Sequence, residues 1–235
     1  MKRLSILFSL FMGLVMSQTV WAYKEADLQQ LLTTNSCRGC DLSKVHLNLA
    51  MLWDTDLTEA NLTDAHLIGA DLRRGLLTKA NLTRAVLSGV VLYEADLTGV
   101  NLTAADLTGA WLDRAKLLNA NLAKVDLARA RLFETNLTGA TIAELTLRDA
   151  LLCHTKRPDG KESDCDLSGA DLTSFSLMGV NLTGANLTGA NLNSSLLRGV
   201  NLKGANLEGA VLDMPSSVTL IRRSCRCFDS VATRI

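Results

Sequence analysis

"NLTGANLTGANL", residues 181–192, writes the same five letters twice and begins a third time. A five-residue period suits neither regular element. On an α-helix of about 3.6 residues per turn, steps of five carry each leucine further round the surface. On a flat strand an odd step sends successive leucines to opposite faces. A backbone that turns a corner every five residues removes both conflicts. Each short edge then points one leucine and one small residue inward, four edges close a square, and coils stack backbone to backbone at about 4.8 Å. Stepping by five from Leu42 lands on leucine as far as Leu152, except at Ile142, and the register resumes from Leu167 to Leu212, giving 33 positions. Two residues before each landing stands a small or modest side chain, such as Ala60, Ala65, Val90 or Val100. The residue just before is often Asp or Asn and the next often Thr or Ser, so the unit reads A-(D/N)-L-(T/S)-x. A fixed period of this kind marks a solenoid.

The run from Cys40 to Asp213 resembles the pentapeptide-repeat family, whose motif is A(D/N)LXX. The resemblance implies an all-β fold, a right-handed quadrilateral β-helix with four repeats per coil. Thirty-three repeats then make about eight coils and a rod of about 40 Å. Asn61, Asn81, Asn101 and Asn121 are 20 apart and are expected to stack as a ladder, their amides hydrogen-bonding along the rod. Glycine fills 12 of the sites two after the leucine, where a corner needs positive φ. Lys, Arg, Glu and Asp occupy most other corners, mainly before residue 150, which leaves the second half smoother and less charged. Six "NLT" triplets, beginning at Asn61, Asn81, Asn101, Asn136, Asn181 and Asn186, are written by the repeat itself and are not read as glycosylation sites.

Residues 1–22 are a separate object. Lys2 and Arg3 precede the apolar run 4–16, too short to span a bilayer comfortably, and small residues Val20 and Ala22 end it. This is the grammar of a signal peptide cut before Tyr23. The expected mature chain is exported, to a periplasm or thylakoid lumen or outside the cell, with no membrane segment after cleavage. Its loss of Lys2 and Arg3 from a balance of 24 basic and 24 acidic residues leaves a charge near −2, with no strong field for nucleic acid or anionic lipid.

A solenoid needs its ends covered. In segment 23–39, Leu28, Leu31 and Leu32 have helical spacing and predict a short capping helix ahead of a CxxC pair. The repeat body is placed at 40–213, and residues 214–235 have lost the register and form an irregular tail or second cap. Residues 153–165 interrupt the body. Leu152 and Leu167 stand three steps of the repeat apart, so the loop either adds two repeat lengths at one corner or replaces two edges. Leu145 and Phe175, large residues at the usually small inward site, favour the first option, because skipping two repeat lengths stacks them in one column.

Six cysteines in an exported chain suggest disulfides. Cys153 with Cys165 is the natural loop clasp, worth about 3 kcal/mol on chain-entropy grounds, and Cys37 with Cys40 is a plausible local pair under the cap. Cys225 and Cys227 stay open between a local bond, free thiols and links to another chain. Cysteine pairs at opposite ends of a rod exclude a four-cysteine zinc site. His46 and His66, one coil apart, are expected to stack on a solvent face without a third ligand. His154 lies in the interrupting loop near Asp159, Ser163 and Asp164, without the geometry of a triad. The sequence therefore predicts no enzyme, no cofactor and no metal. It points to a non-enzymatic structural or protein-interaction scaffold whose partner is an unnamed protein. The contact loop is drawn from His154, Lys156, Arg157, Asp159 and Lys161, with Trp53 and Trp111 as further contacts if outward. The alternative implied by the resemblance is a DNA mimic acting on a type II topoisomerase, which needs dense negative charge and a cytoplasmic address.

Overall fold

The computed structural model describes residues 23–212. The expected signal segment 1–22, the expected tail or cap 214–235 and, within it, Cys225 and Cys227 lie outside the described residues. The chain opens with helix α1, Glu25–Thr34, ended by Asn35 in the left-handed region (φ 57°). Leu31 is buried and Leu28 packs against the first coils. The Asp27 carboxylate accepts the Asp41 amide at 2.7 Å, and the Lys24 amide donates to the Asp41 carbonyl at 3.1 Å. These contacts seat α1 over the end of the solenoid.

From Ser36 to Asn136 each residue of the bridge position pairs in parallel with its counterpart one coil further on, through single bridges and not through extended strands. A short edge with a corner at each end leaves room for one bridge pair. Four columns result, running Asp41–Asn61–Asn81–Asn101–Asn121–Thr141, His46–His66–Val86–Asp106–Asp126–Thr146, Met51–Asp71–Val91–Trp111–Arg131–Leu151 and Ser36–Asp56–Leu76–Asp96–Lys116–Asn136–Lys156.

Each letter of the repeat has a physical task. The leucine and the small residue fill the interior, as with fully buried Leu62, Leu82, Leu102, Ala60, Ala80 and Ala110. Burying each leucine contributes about 1.5–3 kcal/mol before conformational entropy is subtracted. The Asp or Asn side chain accepts the amide two residues on, as Asn61 does from Thr63 and Asp56 from Thr58, which shapes the turn into the corner. At Asp41 the Ser43 hydroxyl, opposed by burial and joined by the Ser43 amide, holds the carboxyl below its ordinary range. The corner closes with an amide-to-carbonyl bond such as Ala60 to Leu57, and the residue before that amide takes positive φ whether or not it is glycine, including Glu59, Lys79 and Arg84.

The asparagine ladder is relayed and not direct. The Thr63 hydroxyl donates to Asn61 at 2.7 Å, and the Asn81 amide donates to the Thr63 hydroxyl at 2.9 Å. The same step repeats through Thr83 to Asn101. Threonine after leucine thus couples neighbouring coils.

The expected single rod is broken. Residues 36–156 form one stack and 166–212 a second, and among the described residues no parallel bridge joins them. Two core clusters correspond to them, the second drawing in Phe133 and Cys153 of the first stack. The last coil of the first stack is uncovered, so Ile142 and Leu147, expected inside, are 44% and 38% exposed. Leu145 packs with the first core and Phe175 with the second, so the expected shared column does not form. Neither reading of the interval from Leu152 to Leu167 holds, because the register is not carried across it.

The positive-φ corners give the first prediction. At Gly89, φ is +66° and a Cβ would meet nothing within 4 Å. Gly89→Ala is therefore expected to lower stability by about 1 kcal/mol through backbone conformation alone, against about 2–5 kcal/mol for Leu102→Ala. Urea unfolding of the two variants checks the ratio.

Candidate functional site

The break places the edge of the second stack against one face of the first. Arg131 is at the centre of this junction. It stands on an outward bridge position yet is 4% exposed, and its Nη2 meets Asp113 Oδ2 at 2.5 Å. Its Nη1 donates to the Ser176 carbonyl at 2.8 Å. The guanidinium lies 4.9 Å from the Trp111 ring centre, 5.5 Å from that of Phe133 and 5.6 Å from that of Phe175, within cation–π range of all three. Its Nε is buried without a hydrogen-bond partner. Asp113 also accepts the Phe133 amide. Burial pushes the Asp113 carboxyl above its ordinary range, while the Arg131 guanidinium and that amide pull it back.

A second arginine braces the junction from the corner. Arg114 donates to the Tyr93 hydroxyl at 2.9 Å, to Glu134 at 3.2 Å and across the break to the Gly179 carbonyl at 3.2 Å. It belongs to a corner column, Asp54–Arg74–Glu94–Arg114–Glu134, in which charge alternates coil by coil and members pair with neighbours, as in Arg74 with Asp54. Between the stacks lies a cleft of about 400 Å³ whose walls include Tyr93, Trp111, Arg114, Phe133 and Met178. Its arginines are already committed to carboxylates and carbonyls, so the arrangement works as a latch.

Residues 153–165 form a short hairpin on the last coil, with Lys156 opposite Glu162 in antiparallel pairing and the Gly139 amide donating to the Pro158 carbonyl. Arg157, Asp159 and Lys161 cluster at its tip, Asp159 4.0 Å from each cation, and Lys156 is exposed beside them. His154 is set apart from this group. Its Nδ1 lies 2.6 Å from Glu162 and its Nε2 3.2 Å from the Thr183 carbonyl of the second stack. The structure pairs Cys153 with Cys165 and Cys37 with Cys40. His46 and His66 stack at 4.5 Å between ring centres. Trp111 is 42% exposed as part of the latch, and Trp53 is half-buried.

The terminal coil itself is the other notable surface. The amides of Ile142, Glu144, Leu147 and Asp149, which in earlier coils donate to the next layer, make no hydrogen bond to the described backbone. Among the described residues no helix is long and apolar enough to cross a membrane.

The family model of pentapeptide repeats matches in eight copies, over residues 36–78, 65–103, 101–139, 163–199 and 176–213. The chain belongs to the pentapeptide-repeat family, whose members fold as right-handed quadrilateral β-helices. The matched segments stop at 139 and resume at 163, a gap that spans the uncovered coil and the hairpin. Solved structures similar to it include HetL, a pentapeptide repeat protein involved in heterocyst differentiation regulation from the cyanobacterium Nostoc. It is 31% identical, over 75% of this chain and 84% of that one, with a TM-score of 0.46. A trypsin-treated form of QnrB1, a plasmid-mediated fluoroquinolone resistance protein, is 18% identical over 80% and 94%, with a TM-score of 0.49. A pentapeptide repeat protein from the Arabidopsis thaliana thylakoid lumen is 29% identical over 51% and 74%, with a TM-score of 0.17. No curated protein sequence matches the chain.

The latch predicts an asymmetric mutational response. Arg131→Met strands a buried carboxylate and is expected to cost about 3–5 kcal/mol at neutral pH, whereas Arg131→Met with Asp113→Leu costs far less. Without Arg131, the folded-state pKa of Asp113 is raised further. The protonated acid is tolerated in the fold, so the penalty of the single variant should be complete above the raised value, shrink as pH falls from that value toward the ordinary aspartate value of about 4, and be absent below it. Urea unfolding at both pH values checks the sign.

Proposed function

We propose that the mature chain, beginning at Tyr23, is an exported non-enzymatic scaffold of a periplasm or thylakoid lumen. Its recognition surface is the uncovered coil 141–150, rimmed by the hairpin 154–161. The observation that carries this reading is the open layer, where Ile142 and Leu147 are exposed beside four amides with no partner in the described backbone. An apolar centre within a polar rim is the usual anatomy of a recognition patch. Here the rim is Glu144, Arg148, Asp149, Lys156 and Arg157, all exposed. Open amides in a row suit an extended segment of a partner protein, added as one more layer of the solenoid. Two disulfides, Cys37–Cys40 under α1 and Cys153–Cys165 behind the hairpin, fit an oxidising compartment and hold the two ends of the first stack. The alternation of charge down the Asp54 to Glu134 column offers no continuous anionic face, so this scaffold reading is preferred to DNA mimicry.

The test is affinity capture from native envelope or lumen extract with crosslinking. Ile142→Lys with Leu147→Lys is expected to abolish capture of the partner while circular dichroism and thermal midpoint stay unchanged. Capture that survives the double substitution would move recognition elsewhere on the molecule. Mass spectrometry of the exported protein should show Tyr23 as the first residue, and an intact Met1 would refute export by cleavage. Non-reducing peptide mapping should recover the Cys37–Cys40 and Cys153–Cys165 pairs.

A further inference from the structure

Cys153, His154 and Cys165 come together where the two stacks meet, and their ligand atoms all lie within 4.8 Å of one another. Cys153 is fully buried and Cys165 8% exposed, while His154 opens onto a polar cleft of about 530 Å³ that also bears Glu162, Asp164 and Asp166. We propose that these three residues form a zinc site once the Cys153–Cys165 bond is reduced, so that the junction has two alternative clasps, one covalent and one metallic.

The donor set suits zinc. Two thiolates and an imidazole are soft and borderline ligands, and a fourth position facing the cleft can take water or a carboxylate. Tetrahedral zinc with thiolates at about 2.3 Å sets its ligands about 3.3–3.8 Å apart, so on reduction the sulfurs part while the imidazole approaches by about 1 Å. Both ring nitrogens now face acceptors, one Glu162 and the other the Thr183 carbonyl, so the nitrogen that turns to the metal gives up its partner and the other is left to hold an acceptor that fixes the tautomer. The chemistry balances with an external dithiol. Thiol–disulfide exchange passes two electrons to the protein bond, giving two thiols and an oxidised reductant, and zinc binding then releases one proton from each thiol. Because His154 contacts the second stack through Thr183, the metal would hold the same two pieces that the disulfide holds. This inference does not depend on what the open coil binds.

The test uses the full chain reduced with a dithiol, with cobalt(II) as a spectroscopic probe and zinc as its competitor. Thiolate-to-cobalt charge-transfer bands at one ion per chain, displaced by zinc and absent from the oxidised protein, are expected. Cys153→Ser with Cys165→Ser should remove them, His154→Ala should weaken binding beyond detection, and Glu162→Gln should weaken it about 10–100-fold. Bands of full strength in the Cys153→Ser, Cys165→Ser variant would assign the metal to other thiols and overturn the proposal. Alkylation with mass mapping covers the case in which a variant fails to fold. Zinc added to the wild-type chain before the reductant should shield Cys153 and Cys165 while Cys37 and Cys40 react, and equal labelling of both pairs would also overturn it.

Discussion

In the sealed coils, each bridge amide finds its carbonyl on a neighbouring coil, and that constraint organises the rest. A bridge from Asn61 to Asn81 can form only if four corners intervene, each consuming one repeat. The leucine columns supply the driving force, but they are aligned by the bridges and not the reverse. The corners are where the geometry costs most. Left-handed φ costs a residue with a Cβ about 1–2 kcal/mol, yet Glu59, Lys79, Arg84 and Lys124 adopt it. The compensation is visible in what some of those side chains reach. A corner residue stands directly above its counterpart on the neighbouring coil, so Arg84 meets Asp64 at 2.7 Å and Lys124 approaches Glu144 at 3.9 Å. Such exposed pairs are individually worth about 0–1 kcal/mol, and their larger effect is to keep like charges from stacking at one-coil spacing.

The same constraint explains why the break is abrupt. A solenoid with one layer out of register cannot share bridges with the next, since each bridge fixes both neighbours. The interval from Leu152 to Leu167 therefore ends one stack and begins another. The two are then joined by side chains. Arg131 is suited to that role because its fork reaches a carboxylate and a carbonyl at once while its guanidinium sits among aromatic rings. A lysine at 131 would offer a point charge without the planar fork.

The repeat body was legible from the sequence because its signal is local and redundant. Leu62, Ala60, Asn61 and Thr63 each carry their task in their own position, and the column is confirmed at every coil. The cap helix was legible from Leu28 and Leu31 for similar reasons. The junction was not. Phe175 stood out as a large residue at a small site, but the partner that explains it, Arg131, looks on the sequence like any exposed bridge residue beside Lys116 or Asp126. Its burial depends on where the second stack turns, which no local pattern encodes. The alternating column from Asp54 to Glu134 emerges when corners are aligned one coil apart, and that alignment marks Arg114 as part of a cross-coil network. The separation of His154 from Arg157 and Lys161 depends on the hairpin fold of the loop, which the spacing of its two cysteines left undetermined.

The uncovered coil raises the question of why a chain would leave amides and apolar side chains open at a layer that elsewhere is sealed. Solvent can satisfy the amides of Ile142 and Glu144 at small cost, since the penalty for an unmade hydrogen bond applies to buried groups. The hazard is indiscriminate pairing with another edge. Charged side chains flank the layer on the sides where a neighbour would add, with Glu144, Arg148 and Asp149 on the coil and Lys156 and Arg157 on the hairpin. Their signs are mixed. A segment that approaches with uniform charge meets repulsion from one part of the rim, whereas a segment of matched sequence meets attraction along its length. The rim thus filters by pattern, and the apolar centre rewards only what has passed it. Had the second stack continued in register, this layer would be one more interior leucine plane. The interruption that breaks the rod is what creates a surface with the means to discriminate.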